Sequence, residues 1–372
     1  MSFLIEDEAR YRDCRPWSPK LTSTGHDEGV KMGLYPEKLN RWQPQSAIVV
    51  VVWASLAACG SNARLPAATN PSDGGDRETG AGAVNSNAVP DGSVASPADY
   101  APTGPYGATK TLLNQGVGTV SGGTKGILPA GNSNDPSGFT LFYPEGGQPG
   151  ERLPLLTWGN GTFCTPTFYD ALMDHVVSYG FIVVATNTSN VGTGVEMLKA
   201  VEWALAQDMD PSSSIYGRVD RDHIGAFGHS QGGAGTVMVG ADPRIRAIAP
   251  LSGAPLSGAQ DASVLIQCPT FYVTTENDIA TPASIEQAYG YTPTPSVFGE
   301  TSGGNHDEYT DIADDPHLSG LTSNDGQRVR TAIAAWFDWQ LKGKEDLRTL
   351  FVGPDCGFCH DANWKVFESK GF

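Results

Sequence analysis

This sequence predicts an α/β protein with a doubly wound, mostly parallel sheet and helices on both faces. Three observations point there. Short apolar runs alternate with helix-compatible segments from Leu153 onward, the pattern of strands joined by crossover helices. Phe181-Ile182-Val183-Val184-Ala185 is apolar without alternation, as in strands covered on both faces. An apolar run enters Gly228-His229-Ser230-Gln231-Gly232-Gly233 and a helix-compatible segment, Gln231 through Val239, leaves it. A sharp turn between strand and helix fits that spacing, because Gly228 and Gly232 lack the Cβ atoms that would collide with the neighbouring strand and helix.

The chain of 372 residues has room for one large domain or two ordinary ones. Residues 1–59 read as a leader. Met1–Gln45 shows no apolar periodicity, and the run Ala47–Cys59 follows Lys38 and Arg41. At about a dozen residues the run is too short for a bilayer, which needs about 20, but it has the size of a signal-peptide core. Leu56-Ala57-Ala58-Cys59 resembles the lipobox of bacterial lipoproteins, which implies lipidation of Cys59 and export to the cell envelope, with Met32 as the expected translation start. A buried strand is the alternative, and no second apolar segment nearby would pair with it. Residues 60–101 are rich in Gly, Ser, Asn and Pro with hardly any large apolar side chain, the composition of a disordered tether.

Residues 102–353 are expected to form the folded domain. Gly104-Pro105-Tyr106 opens it, and Gly138–Tyr143 is a strand stopped by Pro144. Leu153–Trp158 is the next strand, running into the Gly159–Pro166 loop. Tyr169–Tyr179 is an amphipathic helix ended by Gly180. The strand Phe181–Ala185 follows, then a helix over Gly194–Gln207 with Val195, Leu198, Val201 and Leu205 on one side. After the Ser230 turn come strands at Ile245–Pro250 and Pro269–Thr275, a short helix at Thr281–Tyr289, a strand at Ser296–Glu300 and a closing helix at Arg328–Leu341. Residues 354–372 remain as a cysteine-containing tail.

Charge excludes some partners. With 24 basic and 41 acidic residues the net charge is −17, which argues against nucleic acid and anionic headgroups. The expected partner is a small-molecule or polymeric substrate, with a membrane reached only through the N-terminal lipid and the chain a monomer. There is no His/Asp/Glu cluster at metal-ligand spacing, so no metal or cofactor is expected.

In an open α/β sheet functional residues gather beyond the carboxyl ends of the strands. Ser230 sits there, Asp278 follows the strand ending at Thr275, and His306 lies in the loop after the strand ending at Glu300. The order Ser, Asp, His is that of a nucleophile, an orienting acid and a base. His175 falls inside a helix, and His223 and His229 are too near Ser230 in the chain; His317 is the rival base, and Asp307 and Asp311 are rival acids that end no strand. The main-chain N–H of Gln231 would be one oxyanion donor, with that of Thr162, in the glycine-bearing loop, the second.

These residues resemble the α/β-hydrolases, in the branch of cutinase-like polyester hydrolases and chlorophyllase- or dienelactone-hydrolase-like esterases. The resemblance runs from Gly138 to Leu341 through Thr140–Pro144, Gly161-Thr162, Tyr179–Val184, Gly228–Gly233, Glu276-Asn277-Asp278 and Gly303–His306. It implies Ser230, Asp278 and His306 as the triad of a carboxylic ester hydrolase, with Thr162 and Gln231 as donors. The polyester hydrolases place Met after the nucleophile, an aromatic after the loop glycine and a Trp past the next strand. Here Gln231, Thr162 and Pro250-Leu251-Ser252-Gly253-Ala254 stand instead. Main-chain donation survives those changes, but the side-chain clamp on an aromatic acyl group is put in question.

Cys164, Cys268, Cys356 and Cys359 are disulfide candidates in an exported chain, and four cysteines allow three pairings. Cys356-Gly357-Phe358-Cys359-His360 also matches the haem c attachment pattern, although no helical bundle surrounds it. A non-catalytic polymer- or haem-binding lipoprotein is therefore the alternative to the esterase, as is an amidase or acyltransferase with the same triad.

Overall fold

A computed structural model describes residues 95–100, 103–114, 117–122, 138–148, 150–255, 258–278, 282–311 and 326–372. Cys59, Met32 and His317 lie outside them. Ten strands form one sheet in the order β10-β9-β8-β7-β6-β4-β5-β3-β1-β2. They are β1 (Gly107–Asn114), β2 (Val117–Gly122), β3 (Phe139–Glu145), β4 (Leu153–Gly159), β5 (Ile182–Thr186), β6 (Val219–His229), β7 (Ile245–Leu251), β8 (Thr270–Thr275), β9 (Ser296–Thr301) and β10 (Trp364–Lys370). Helices α1 (Asp170–Ser178), α2 (Val195–Gln207), α3 (Gln231–Val239), α4 (Ala259–Ser263), α5 (Pro282–Tyr291), α6 (Gln327–Lys342) and α7 (Arg348–Phe351) connect and cover them.

β5, β4, β6, β7, β8 and β9 run parallel to one another. The flanks β2-β1-β3 and β10 are antiparallel. Strand periodicity explains the two-layered core. Leu155, Ile182, Val184, Ile224 and Ala226 face α2 and α5, in one cluster with Val201 and Ile285. Their chain neighbours Leu156, Val183, Ala185 and Phe227 face α1 and α6, in a second cluster with Val176, Trp336 and Phe337.

The structure holds elements that the sequence reading did not assign, namely β1, β2, β10, α4 and α7. No element was assigned over β1 and β2, whose Gly, Thr, Lys, Asn and Ser residues outnumber the apolar ones. The tail is not an appendage. Its Trp364–Lys370 stretch pairs with β9 from Trp364↔Thr301 to Lys370↔Ser296, and Phe358, Trp364 and Phe367 pack against Phe271 and Phe351. Its alternation is short and mixed with charges, which is what an edge strand with one wet face requires. At the other end Ala95 and Tyr100, inside the stretch expected to be tether, are buried in the core, where the Tyr100 hydroxyl donates to Asp338 Oδ2 at 2.8 Å.

The cysteines divide. Cys356 and Cys359 are bonded to each other, so the sulfurs that haem attachment would need are already used. Cys268 is a correction: it is a free thiol, buried beside α3 with its pKa pushed up to about 12 by desolvation. It therefore cannot be the partner of Cys164.

Candidate active site

The turn at Ser230 is built by backbone approaches that only glycine permits. β6 ends at His229 and α3 begins at Gln231, and Ser230 between them has φ 55 and ψ −113, a strained conformation for a residue with a Cβ. Its N–H donates to the Leu251 carbonyl at 2.9 Å and its own carbonyl accepts from Ala234 N–H at 3.1 Å. A Cβ on Gly228 would lie 2.5 Å from the Gly232 oxygen, and one on Gly253 would lie 1.9 Å from the Ser230 oxygen. The strain is thus held by close-packed strand ends, and it exposes the serine hydroxyl beyond the sheet.

The structure brings Ser230, His306 and Asp278 together. His306 Nε2 lies 2.9 Å from Ser230 Oγ, and its Nδ1 lies 3.1 and 3.2 Å from the two Asp278 oxygens. The Asp278 side chain is fully buried and that of His306 is 12% exposed. Burial by itself lowers the His306 pKa, but the hydrogen bond and charge of Asp278 outweigh it and the net direction is up.

The loops carrying Asp278 and His306 are tied to each other. Asn277 N–H donates to the Gly304 carbonyl at 2.8 Å, Asn277 Nδ2 to the Gly303 carbonyl at 3.1 Å, and Gly303 N–H to Glu276 Oε2 at 2.8 Å. Two residues beyond His306, Glu308 forms a buried pair with Arg328 of α6, with Nη2–Oε2 at 2.8 Å. Arg328 Nη1 also donates to the Ser302 carbonyl at 2.7 Å, and Thr301 Oγ1 donates to Glu308 Oε2 at 2.9 Å. With the polar atoms of the pair so engaged, the His306 loop is clamped to the helix beneath it.

The loop after β4 meets the elbow backbone to backbone. A Cβ on Gly159 would lie 2.9 Å from Gly232 Cα. Asn160 anchors this loop, accepting from Trp158 Nε1 at 2.9 Å and donating to the Thr186 and Thr188 carbonyls. Cys164 N–H donates to the Gly161 carbonyl at 3.1 Å, closing a turn with Thr162 second and Phe163, at φ 64, third. Phe163 is half-exposed on that turn. The side chain of Gln231 serves the scaffold: its Oε1 accepts from Val191 N–H at 3.0 Å, tying the elbow to the loop after β5. The Gln231 main-chain N–H is the first of α3, where no intrahelical acceptor exists for it.

Of the other histidines and acids, His223 and Asp311 are engaged elsewhere. His175 is buried in α1, with its pKa lowered to about 4 chiefly by desolvation. His223 pairs with Asp220 at 2.7 Å. Asp311 receives the N–H groups of Asp170 and Ala171, both at 3.0 Å, and so caps α1. Asp307 sits beside His306 with its carboxyl pKa raised by burial. Sequence reasoning missed Tyr169 altogether and set His229 aside as too close to Ser230. Neither residue type is unusual where it stands, and only a hydroxyl one helix start away from a loop glycine hinted at a contact.

Among the described residues no group of three or more His, Cys, Asp or Glu is arranged to hold a metal ion. The sequence profile of the PETase family, described as PET hydrolase-like, matches residues 100–338. Cutinase est1 of Thermobifida alba is 25% identical over 236 residues, spanning 61% of this chain and 73% of the relative. The bis(hydroxyethyl) terephthalate hydrolase of Streptomyces coelicolor is 24% identical over 227 residues, spanning 59% of this chain and 63% of the relative. With a mostly parallel sheet, a Gly-x-Ser-x-Gly elbow and a family match over most of its described length, the chain belongs to the PETase-like, PET hydrolase-like family of the α/β-hydrolase superfamily.

Proposed function

We propose that this protein hydrolyses carboxylic esters through an acyl-enzyme formed on Ser230. The reading is carried by the contact of His306 with both Ser230 Oγ and Asp278. His306 Nε2 takes the hydroxyl proton as Oγ attacks the ester carbonyl, while Asp278 orients the ring and stabilises the imidazolium. The Gln231 and Thr162 main-chain N–H groups receive the oxyanion. Collapse of the tetrahedral intermediate expels the alkoxide, which leaves as the alcohol with the proton held on Nε2. Water then repeats the sequence on the acyl-enzyme and releases the acid.

Names of the relatives support small and polymeric esters as the substrate class: one is a cutinase, another a bis(hydroxyethyl) terephthalate hydrolase. The test is labelling with a fluorophosphonate followed by peptide mapping. Modification at Ser230 supports an activated serine, and a folded protein that takes no label removes the reading.

A pH dependence follows from the raised His306 pKa. The base must be neutral to take the proton, so kcat/KM should rise with pH through a midpoint above histidine's ordinary 6.5. Asp278→Asn should move that midpoint down and lower kcat by about 10⁴-fold. A midpoint unmoved by the substitution would remove Asp278 from the site.

We further propose that the protein is exported and held at the cell envelope by lipid on Cys59, with residues after it as a tether to the catalytic domain. Support comes from the apolar run ending in Leu56-Ala57-Ala58-Cys59. Feeding producing bacteria an alkyne fatty acid should label the wild type and not Cys59→Ser; an unlabelled wild type overturns the anchor.

A further inference from the structure

His229, the chain neighbour of Ser230, is buried and connects the two loops on which the proposed chemistry depends. Its Nε2 lies 2.8 Å from the main-chain oxygen of His306, and its Nδ1 lies 3.0 Å from the Tyr169 hydroxyl. Gly161 N–H in turn donates to that hydroxyl at 3.0 Å. The ends of this chain of bonds determine its polarity. A carbonyl only accepts, so the proton of His229 sits on Nε2. Burial, helped by the neighbouring His306, lowers the His229 pKa to about 3, so the ring is neutral and Nδ1 is bare. Nδ1 therefore accepts the Tyr169 proton, and the Tyr169 oxygen accepts from Gly161.

We propose that His229 is a positioning residue, holding the main chain at His306 and the main chain of the Gly161–Thr162 loop at a set distance on either side of Ser230. The inference rests on the esterase reading above. Its ring is also packed against His306 and Tyr309, with centroids 4.8 and 5.1 Å away, so it restrains the base by contact as well as by hydrogen bond. Packing alone does not explain a histidine here. A methionine would fill the same space without burying two ring nitrogens, and those nitrogens give instead a unique geometry that an apolar contact lacks. Directionality matters because a misplacement of about 1 Å at reacting groups costs on the order of 10²-fold in rate. Gly161 is also sterically enclosed by this assembly, since a Cβ there would lie 2.9 Å from the Tyr169 oxygen and 3.0 Å from His229 Nδ1.

The experiment uses the full chain, a 4-nitrophenyl ester and 15N NMR of the histidine rings. His229→Met should lower kcat by about 10²-fold with KM little changed, and His229→Gln, which keeps a donor and an acceptor, should recover most of the loss. Unchanged kcat in His229→Met, or parallel losses in both variants, overturns the proposal. Should His229→Met fail to fold, Tyr169→Phe cuts the same chain of bonds at its other end, and an unchanged kcat there overturns the proposal equally. The NMR arm is independent of turnover. In the wild type His229 should be neutral with its proton on Nε2, and the opposite tautomer overturns the relay. A wild type without ester turnover would sink the esterase reading alone, leaving the tautomer to decide the relay.

Discussion

Ser230→Ala should abolish ester turnover, by on the order of 10⁶-fold in kcat, while leaving the fold intact. The loss is large because nucleophile and base act as a unit: without Oγ the neutral His306 has no proton to take, and the donors alone supply only residual catalysis. Retention of the fold follows from the local backbone. At φ 55 the strain of this position belongs to any residue with a Cβ, so serine and alanine bear it equally. The main-chain bonds to Leu251 and Ala234 that hold the turn do not involve the hydroxyl. A 4-nitrophenyl ester assay beside a thermal melt checks both halves. Turnover at the wild-type rate would remove Ser230 from the mechanism, and a collapsed melt would mean that the hydroxyl also stabilises the turn.

Gly232→Ala should show the largest loss of stability, and it tests the elbow rather than the chemistry. An added Cβ would lie 1.9 Å from the Gly159 oxygen, 2.2 Å from the Gly159 carbon and 2.8 Å from the Asn160 oxygen. All three are main-chain atoms, so no side chain can swing aside; the helix must lift from β4 or the loop must retreat. We expect a loss of about 3 kcal/mol, the upper end for overpacking, together with loss of activity as the Thr162 loop moves from Ser230. Gly290→Ala makes the matched control. Gly290 lies in α5 with nothing within 4 Å of its would-be Cβ, so there the same change should stabilise by about 0.5 kcal/mol through reduced backbone freedom. Urea denaturation of the two variants should give shifts of opposite sign; equal midpoints would mean that the elbow yields more easily than its main-chain contacts imply.

The sheet's parallel centre was legible because its strands are buried on both faces and so carry apolar runs without polar alternation, as Ile182–Ala185 of β5 does. The flanks were not, since an edge strand such as β10 needs only one apolar face and tolerates Lys365, Glu368 and Lys370 along its length. The same contrast holds at the site. The residue types and chain order of Ser230, Asp278 and His306 were readable because each follows a strand whose end the apolar pattern marks. Phe358 and Trp364 gave no such cue, as their burial depends on Phe271 and Phe351, brought to them from other elements.

By itself, then, the sequence determined which strands lie at the centre, where the tight turn falls and which three candidate side chains lie beyond strand ends, all consequences of local periodicity and of glycine's missing Cβ. Tertiary structure alone decided that Cys268 stays a free thiol, that Asp311 caps α1 and that His229 joins Gly161 to the His306 main chain through Tyr169. Each of those depends on segments far apart in the chain. Hydrogen-bond partners across such distances are chosen by how the layers pack, and no local pattern of residues encodes that choice.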